Sequence, residues 1–448
     1  MLNLGVSTQR LSAKAGSGFT PKKLFDDGEE GFWYDISDIR TLKENSDGTV
    51  DVTSYGQSVG YIADKSGNGN HARQSASGAK KPKYARHPAG GIRNLLTQTE
   101  NFTDSAWTGY FQKPTLTTGQ TDPLGGNTAM KWSAPSTTGG SGNAGGLILP
   151  DSDGVIEDNT NYTVSVYLKA SSNVTVSIGL TDGAMTGVNL TTSWQRFSTT
   201  VQNNPSAMDR LFQISEQTND SVDIFIWGAQ TEKSNEATPY QKVTTKYDVT
   251  EAGQPDLHYL KFDGTDDGFQ VDSFSASAQG TSAFFGYSST NADDSGYNVL
   301  LDIQAGRLIF ASSTDSQNEI GYYDGAWNDI SDDGDIKVLS FNLQTNDGVM
   351  RENGTVLVTD TGYAEKPLGG IMMIGNHHNS SVTGKEFGGN MYQVVLRSTE
   401  CNDRDLEATE KFIATKTGVS SRVRGLATLD LNFGANTYLA TNSNGVSM

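Results

Sequence analysis

The run Thr163-Val-Ser-Val-Tyr-Leu168 alternates polar and apolar side chains, with Val164, Val166 and Leu168 on one parity. Val174, Val176 and Ile178 repeat the pattern after a short polar break. A period of two is the signature of an antiparallel strand with one face on a core and one on solvent. The same texture continues in "SWQRFSTTV", "RLFQISEQ" and "SVDIFIWGAQTE". It resumes in "LHYLKFDGTDDGFQV", "TSAFFGYSS", "NVLLDIQAGRLIFAS", "DIKVLSFNLQ" and "MYQVVLRS". Asn353-Gly354 between two such runs supplies the paired positive φ angles of a type I′ hairpin. One helix interrupts the pattern, expected over 402–416, started by Asn402 or Asp403 and stopped before Gly418. The chain is 35% hydrophobic with 50 glycines, which suits many short strands joined by polar turns. These features predict an all-β chain of antiparallel β-sandwich, jelly-roll type.

At 448 residues the chain has room for more than one core. Residues 1–31 are rich in Gly, Ser and Lys and lack periodicity, so they read as an N-terminal arm. Residues 32–93 carry strands and turns, and the strand texture changes near Asn94. It closes near Thr245 after "ATPYQKV", and 247–419 resume the earlier style. Residues 420–448 read as an appended polar segment.

The formal net charge of −19 repels nucleic acid phosphates. The lone Cys401 allows no internal disulfide. No stretch approaches the roughly 20 apolar residues of a membrane span, and the N-terminus has no apolar export core. The expectation is a protein of extracellular style made in the cytoplasm without an export signal.

Several short motifs invite a chemistry that their context denies. Gly67-Asn-Gly-Asn-His-Ala72 fits a dinucleotide-loop pattern, but "RQSASGAKKPKYARHP" after it is no amphipathic helix, and Gly90 and Gly91 stand where an acid belongs. "GQSVG" places Ser58 in a nucleophile-elbow pattern, yet strand and turn follow instead of a helix. His377-His378 lacks the spacing of a zinc site. Calcium is the one ion suggested. "DISDDGD" sets Asp329, Ser331 and Asp333 at alternate positions before Gly334, although Ser340 replaces the bidentate glutamate of a full loop. Asp151–Gly154 and Phe262–Gly268 are further carboxylate clusters. For sugar binding, aromatic faces beside polar side chains are wanted. Trp107, Trp132, Tyr322, Tyr323 and Trp327 are the candidates, whereas Trp194 and Trp227 read as structural. The compact E-x-D-x-x-E signature of jelly-roll glucanases is missing, and no catalytic residues are assigned.

Taken as a series, Trp33–Asp38, Gly56–Gly60, Asp64–Ala72 and Pro82–Tyr84 resemble the opening of phage and prophage virion proteins with a concanavalin A-like, laminin-G-like domain. Tyr259–Asp267, the "ENGTVLV" hairpin and "YQVVLRS…ATEKFIATKTG" resemble the remainder of that domain. Residues 94–246, from "RNLLTQTENFTDSAWT" to "WGAQTEKSNEATPYQKV", resemble the carbohydrate-binding jelly roll common in phage tail proteins. The resemblance implies one sandwich inserted into another, with 32–93 and 247–419 as the two parts of the host. It further implies a virion surface protein (tail fibre, head fibre or decoration protein) that contacts host glycans, docks through its N-terminal arm and forms a homo-oligomer, a trimer by preference. A polysaccharide depolymerase and a purely structural decoration are the alternative readings.

Overall fold

The computed structural model describes residues 18–75, 78–110, 113–133, 145–180, 185–203, 210–216, 222–272, 275–276, 280–289, 298–304, 307–310, 319–323, 327–331, 334–363, 367–378 and 386–419. Its largest sheet has ten strands. They are β1 (Gly31–Asp35), β2 (Lys83–Pro88), β3 (Gln241–Thr245), β4 (Asp248–Glu251), β5 (Asp256–Asp263), β6 (Thr281–Ser289), β7 (Lys337–Gln344), β8 (Asp347–Glu352), β9 (Thr355–Asp360) and β10 (Gly388–Arg397). Their order is β3-β4-β2-β5-β10-β6-β7-β8-β9, with β1 also on β10. Strand β6 takes one edge of β10, while β1 and β5 share the other, pairing with residues 393–397 and 388–391. A nine-stranded sheet, running from Leu42–Lys43 to Trp327–Ser331, faces it. Phe32, Tyr34, Leu260, Phe262, Phe285, Leu301, Phe341 and Ile374 belong to the core they share.

Between β2 and β3 the chain builds two five-stranded sheets from residues 108–232, whose strands pair only with one another among the described residues. Val164, Val166, Leu168, Val176 and Ile178, the alternating residues that signalled strands, are fully buried in their core. The all-β antiparallel sandwich fold is therefore present. The strand Gln241–Thr245, which the sequence reading gave to the inserted unit, belongs instead to the ten-stranded sheet through its pairing with β4. Both crossings meet in one buried polar knot. Gln241 Oε1 accepts from the amides of Arg93 (2.7 Å) and Asn94 (3.1 Å), and its Nε2 donates to Glu251 (2.9 Å). Asn94 Nδ2 donates to the carbonyls of Gln241 and Ala229, and Arg93 donates to Glu251 at 2.7 Å. A buried network of this kind is favourable only when its members are satisfied, as these are.

Strand β1 is clamped on both sides. Along one edge it pairs with β10. On the other, the Trp33 amide donates to Asp64 Oδ1 (2.9 Å) and the Trp33 carbonyl accepts from the Lys65 amide (2.9 Å). The Asp64 carboxylate also accepts from Ser66 N, Ser66 Oγ and Asn70 N. Asn70 Nδ2 reaches the Gly31 carbonyl at 2.7 Å, and Tyr34 Oη returns to the Asn70 carbonyl at 2.6 Å. Gly67 and Gly69 hold φ of 104° and 81°, conformations that glycine adopts freely. The Gly/Asn run is thus a turn that staples β1, as its lack of a following helix implied.

The expected helix is α1 (Asp403–Thr417). Asn402 Oδ1 accepts from the Asp405 amide, and Gly418 ends the helix at φ 73°. It crosses the outer face of the ten-stranded sheet, where Gly286 lets Ile413 and Thr417 approach: a Cβ there would lie 2.6 Å from Thr417. Part of the expected N-terminal arm is not an arm. Residues Pro21–Phe25 form a 3₁₀ turn with Leu24 and Phe25 buried beside Trp33 and Leu406. The reason is that two apolar residues suffice to anchor one turn, which leaves no periodicity to detect. Residues 1–17 and 420–448 lie outside the described residues. Among the described residues no helix is long and apolar enough to cross a membrane.

Asp64→Ala removes one acceptor for four donors, so it is expected to lower unfolding stability by about 2–4 kcal/mol, with Asp64→Asn less costly. Urea denaturation of the two variants checks this.

Candidate functional site

Of the aromatic residues proposed as sugar platforms, three are core residues. Trp107 is 1% exposed and packs on Phe102 and Phe212, with Nε1 donating to the Gln98 carbonyl. Trp132 is fully buried in the same core. Tyr322 is fully buried against Phe341 and Tyr363 and donates to Asp360 at 3.1 Å. Large aromatic rings contribute most to stability when wholly desolvated, and here that use wins. Tyr323 and Trp327 are register partners across a hairpin. Trp227 is buried, with Nε1 donating to Thr128; Trp194 is half-buried with Lys169 over its ring.

Of the suggested calcium ligands, Asp329 and Ser331 sit in the strand Trp327–Ser331, paired with Gly321 and Glu319. Asp333 lies outside the described residues. The carboxylate of Asp151 caps the Val155 and Ile156 amides in a turn. Among the described residues, two groups could offer three ligand atoms within 4.8 Å of one another: Asp302 with His377 and His378, and Asp263 with Asp266 and Asp267. In the first, buried Asp302 accepts from the His378 amide at 2.7 Å and lies 2.6 Å from its Nδ1, a partner that spacing along the chain did not reveal.

The outer face of the ten-stranded sheet holds a cleft of about 610 Å³. Its floor is β5, with Tyr259 and Lys261, flanked by Lys83 of β2 and Asn390 of β10. Alternation along β5 sets this up: Leu260 and Phe262 enter the core between the sheets, while Leu257 and Tyr259 pack with Ala85 and Tyr392 on the opposite face. The β3–β4 turn raises Lys246 and the half-exposed Tyr247 as one wall. Lys81, Ser58 and Gly78 form another, and Asp263 and Asp267 close the end.

Ser58 is part of this lining, but no histidine serves it. Its Oγ donates to the Gly78 carbonyl (3.2 Å) and accepts from Lys83 Nζ (2.7 Å), while His71 Nδ1 accepts from the Asp64 amide. Asp267 is 3% exposed; one oxygen accepts from the Asp263 amide at 2.9 Å and Oδ1 has no protein partner. Burial, reinforced by Asp263 and Asp266, pushes its carboxyl up to about 7. Asn390 Oδ1 also lacks a protein partner. Burial first, then the neighbouring Lys246, lowers the pKa of the Lys261 ammonium.

Two smaller depressions differ in charge. One of about 310 Å³ near the insertion junction has its lysine, Lys242, paired with Glu100 at 2.8 Å. Another of about 400 Å³ has Lys233 paired with Glu157 at 2.7 Å. Sequence reasoning missed Tyr247 and the lysines of the large cleft, because they come from segments some 180 residues apart. The one visible signal was the basic run Lys80-Lys81-Pro82-Lys83 in an acidic chain.

No family model and no curated protein matches this chain. Among solved structures, it is similar to the tandem CBM22-1-CBM22-2 domain of Xyn10C from Paenibacillus barcinonensis, at 12% identity and TM-score 0.25, over 69% of this chain and 98% of that one. It is similar to domain 4 of AbnA, an extracellular GH43 arabinanase from Geobacillus stearothermophilus, at 10% identity and TM-score 0.28, over 42% and 82%. It is also similar to the enzymatically active domain of tailspike protein 4 of bacteriophage CBA120, at 15% identity and TM-score 0.24, over 32% of this chain and 21% of that one.

A carboxyl that titrates near 7 when folded and near its ordinary 3.8 when unfolded binds its proton more tightly in the fold. Its ionisation therefore costs stability progressively from about pH 4 to 7, and fully above that. Asp267→Asn is expected to stabilise by about 2–4 kcal/mol at pH 8 and to change little at pH 4, as read by denaturation at both values.

Proposed function

We propose that this chain is a glycan-binding structural protein of a bacteriophage virion, a tail or head fibre or decoration protein, and that its sugar site is the large cleft on the ten-stranded sheet. The observation that carries the reading is the cleft's mixed lining. A half-exposed tyrosine, Tyr247, stands beside hydroxyl, amide, carboxyl and ammonium groups from Ser58, Asn390, Asp263 and Lys83. Sugars present an apolar ring face and a rim of hydroxyls, so a site of this chemistry holds both. The volume falls in the range of small-ligand sites. The virion assignment draws on the motif series from Trp33 to Tyr84 and from Tyr259 onward. In this reading the N-terminal segment docks onto other virion proteins, and copies associate as a cyclic homo-oligomer, a trimer by preference.

Binding without cleavage is part of the proposal. Glycoside hydrolysis uses two carboxyl groups on opposite sides of the scissile bond. Asp263 and Asp267 stand on one turn, the amide of the first bonded to the carboxylate of the second, and so approach a ligand from the same side. Incubation with host capsule is expected to release no new reducing ends. Reproducible release would replace this reading with a depolymerase.

On a glycan array the full chain is expected to bind at least one bacterial surface glycan, and Tyr247→Ala to weaken that binding by about tenfold or more under conditions where circular dichroism shows the variant folded. Binding that is indifferent to Tyr247 would move the site elsewhere, and silence across the array would leave a purely structural decoration.

A further inference from the structure

We infer that the glycan this cleft takes is acidic, bearing carboxylate or sulfate groups that meet Lys81, Lys83, Lys246 and Lys261. The inference rests on the proposed glycan site and adds the chemical class of its ligand.

The chain carries 52 acidic and 33 basic residues. In such a protein a lysine has carboxylates in excess around it, and many of the described lysines pair with one, while others, such as Lys22, Lys113 and Lys416, bond neutral oxygens. Lys43 pairs with Asp51, Lys65 with Asp35 and Asp38, Lys131 with Asp223, Lys233 with Glu157 and Lys242 with Glu100. The four lysines of the cleft do not. Among the described residues none of them has a carboxylate within ion-pair distance, although Asp263 and Asp267 line the same space. Lys81 Nζ donates to the Glu44 carbonyl and Lys83 Nζ to Ser58 Oγ, both neutral acceptors.

Lys246 and Lys261 are the telling pair. Lys246 stands exposed on the turn wall, with its ammonium 5.5 Å from the Tyr247 ring centroid. Lys261 is half-buried on the sheet floor, near enough to Lys246 for the two charges to disfavour each other. Placing like charges together at a partly desolvated site is unfavourable in the free protein, and an anion between them relieves it. A charge-assisted bond to a carboxylate or sulfate is shorter and stronger than a bond to a neutral hydroxyl, so the gain goes to acidic sugars over neutral ones. Tyr247, carrying the ammonium beside its ring, places the apolar contact and the charge contact on the same wall.

Size and overall charge limit the class. A space of about 610 Å³ accommodates a short glycan segment and not a nucleic acid duplex. The net charge of −19 repels an extended polyanion away from the cleft. The site therefore selects acidic residues locally, as part of a glycan whose remaining length leaves the protein surface.

The test is isothermal titration of the full chain with matched pairs of oligosaccharides: galacturonate, glucuronate and mannuronate oligomers, their carboxyl-reduced neutral counterparts, and sulfated oligomers of equal length. At least one acidic member is expected to bind about tenfold or more tighter than its neutral partner, with affinity falling as salt rises. The uronate and sulfate arms identify which anion is preferred. Lys246→Gln and Lys261→Gln are expected to bring the preference below about threefold by weakening the acidic members more than the neutral ones, with a melting temperature no lower than that of the unaltered chain. Equal binding of acidic and neutral partners overturns the inference and leaves the glycan reading in place, as does preference unaffected by both lysine variants. Failure of every oligosaccharide here and on the array overturns both.

Discussion

The bond from the Trp33 amide to the Asp64 carboxylate caps the edge of strand β1 that its partner β10 leaves open. Strand β1 stands 360 residues from its partner β10 in sequence, and among the described residues the Asp64–Asn70 turn covers its other edge. Trp33 Nε1 donates to Gln393, and Gln393 donates in turn to Asp35. The two ends of the described chain are thereby tied into the middle of one sheet. β5 lies farther along the same edge of β10, and its ladders to β10 and β2 set where Tyr259 and Lys261 stand.

The insertion is accommodated by the same economy. The chain leaves after β2 and returns at β3, and Arg93, Asn94, Gln241 and Glu251 satisfy one another's polar groups at the crossing. Returning at β3 rather than β4 adds the turn that carries Lys246 and Tyr247. The inserted sandwich thus contributes to the cleft through its exit, with its own core left apart. Two charge arrangements follow along the outer sheet. Lysines such as Lys65 and Lys242 are paired with carboxylates, and the four lysines that line the cleft are not.

Much of the fold was legible in the sequence. Alternation at 163–168 and 174–178, the Asn353-Gly354 turn and the Asn402 to Gly418 helix signals are local features, and the backbone obeys them. The Asp64–Ala72 run was legible as a turn because the helix required by the nucleotide pattern was missing. Site residues were less legible, for a physical reason. Trp107, Trp132 and Tyr322 have the chemistry of sugar platforms, but burial decides their role, and burial is set by strand parity and sheet pairing across distant segments. Tyr247 and the cleft lysines became neighbours through the same long-range pairing. Leu24 and Phe25 were hidden for the opposite reason, since one anchored turn leaves no period to read.

The central claim is that ligand chemistry is concentrated at the cleft between β2, β5 and the β3–β4 turn. A crystal structure of the full chain soaked with the tightest-binding array glycan tests it most directly. The account predicts sugar density against Tyr247 within hydrogen-bond distance of Lys261 or Lys246. Density confined to the sandwich of residues 108–232, with the cleft unchanged, would contradict it.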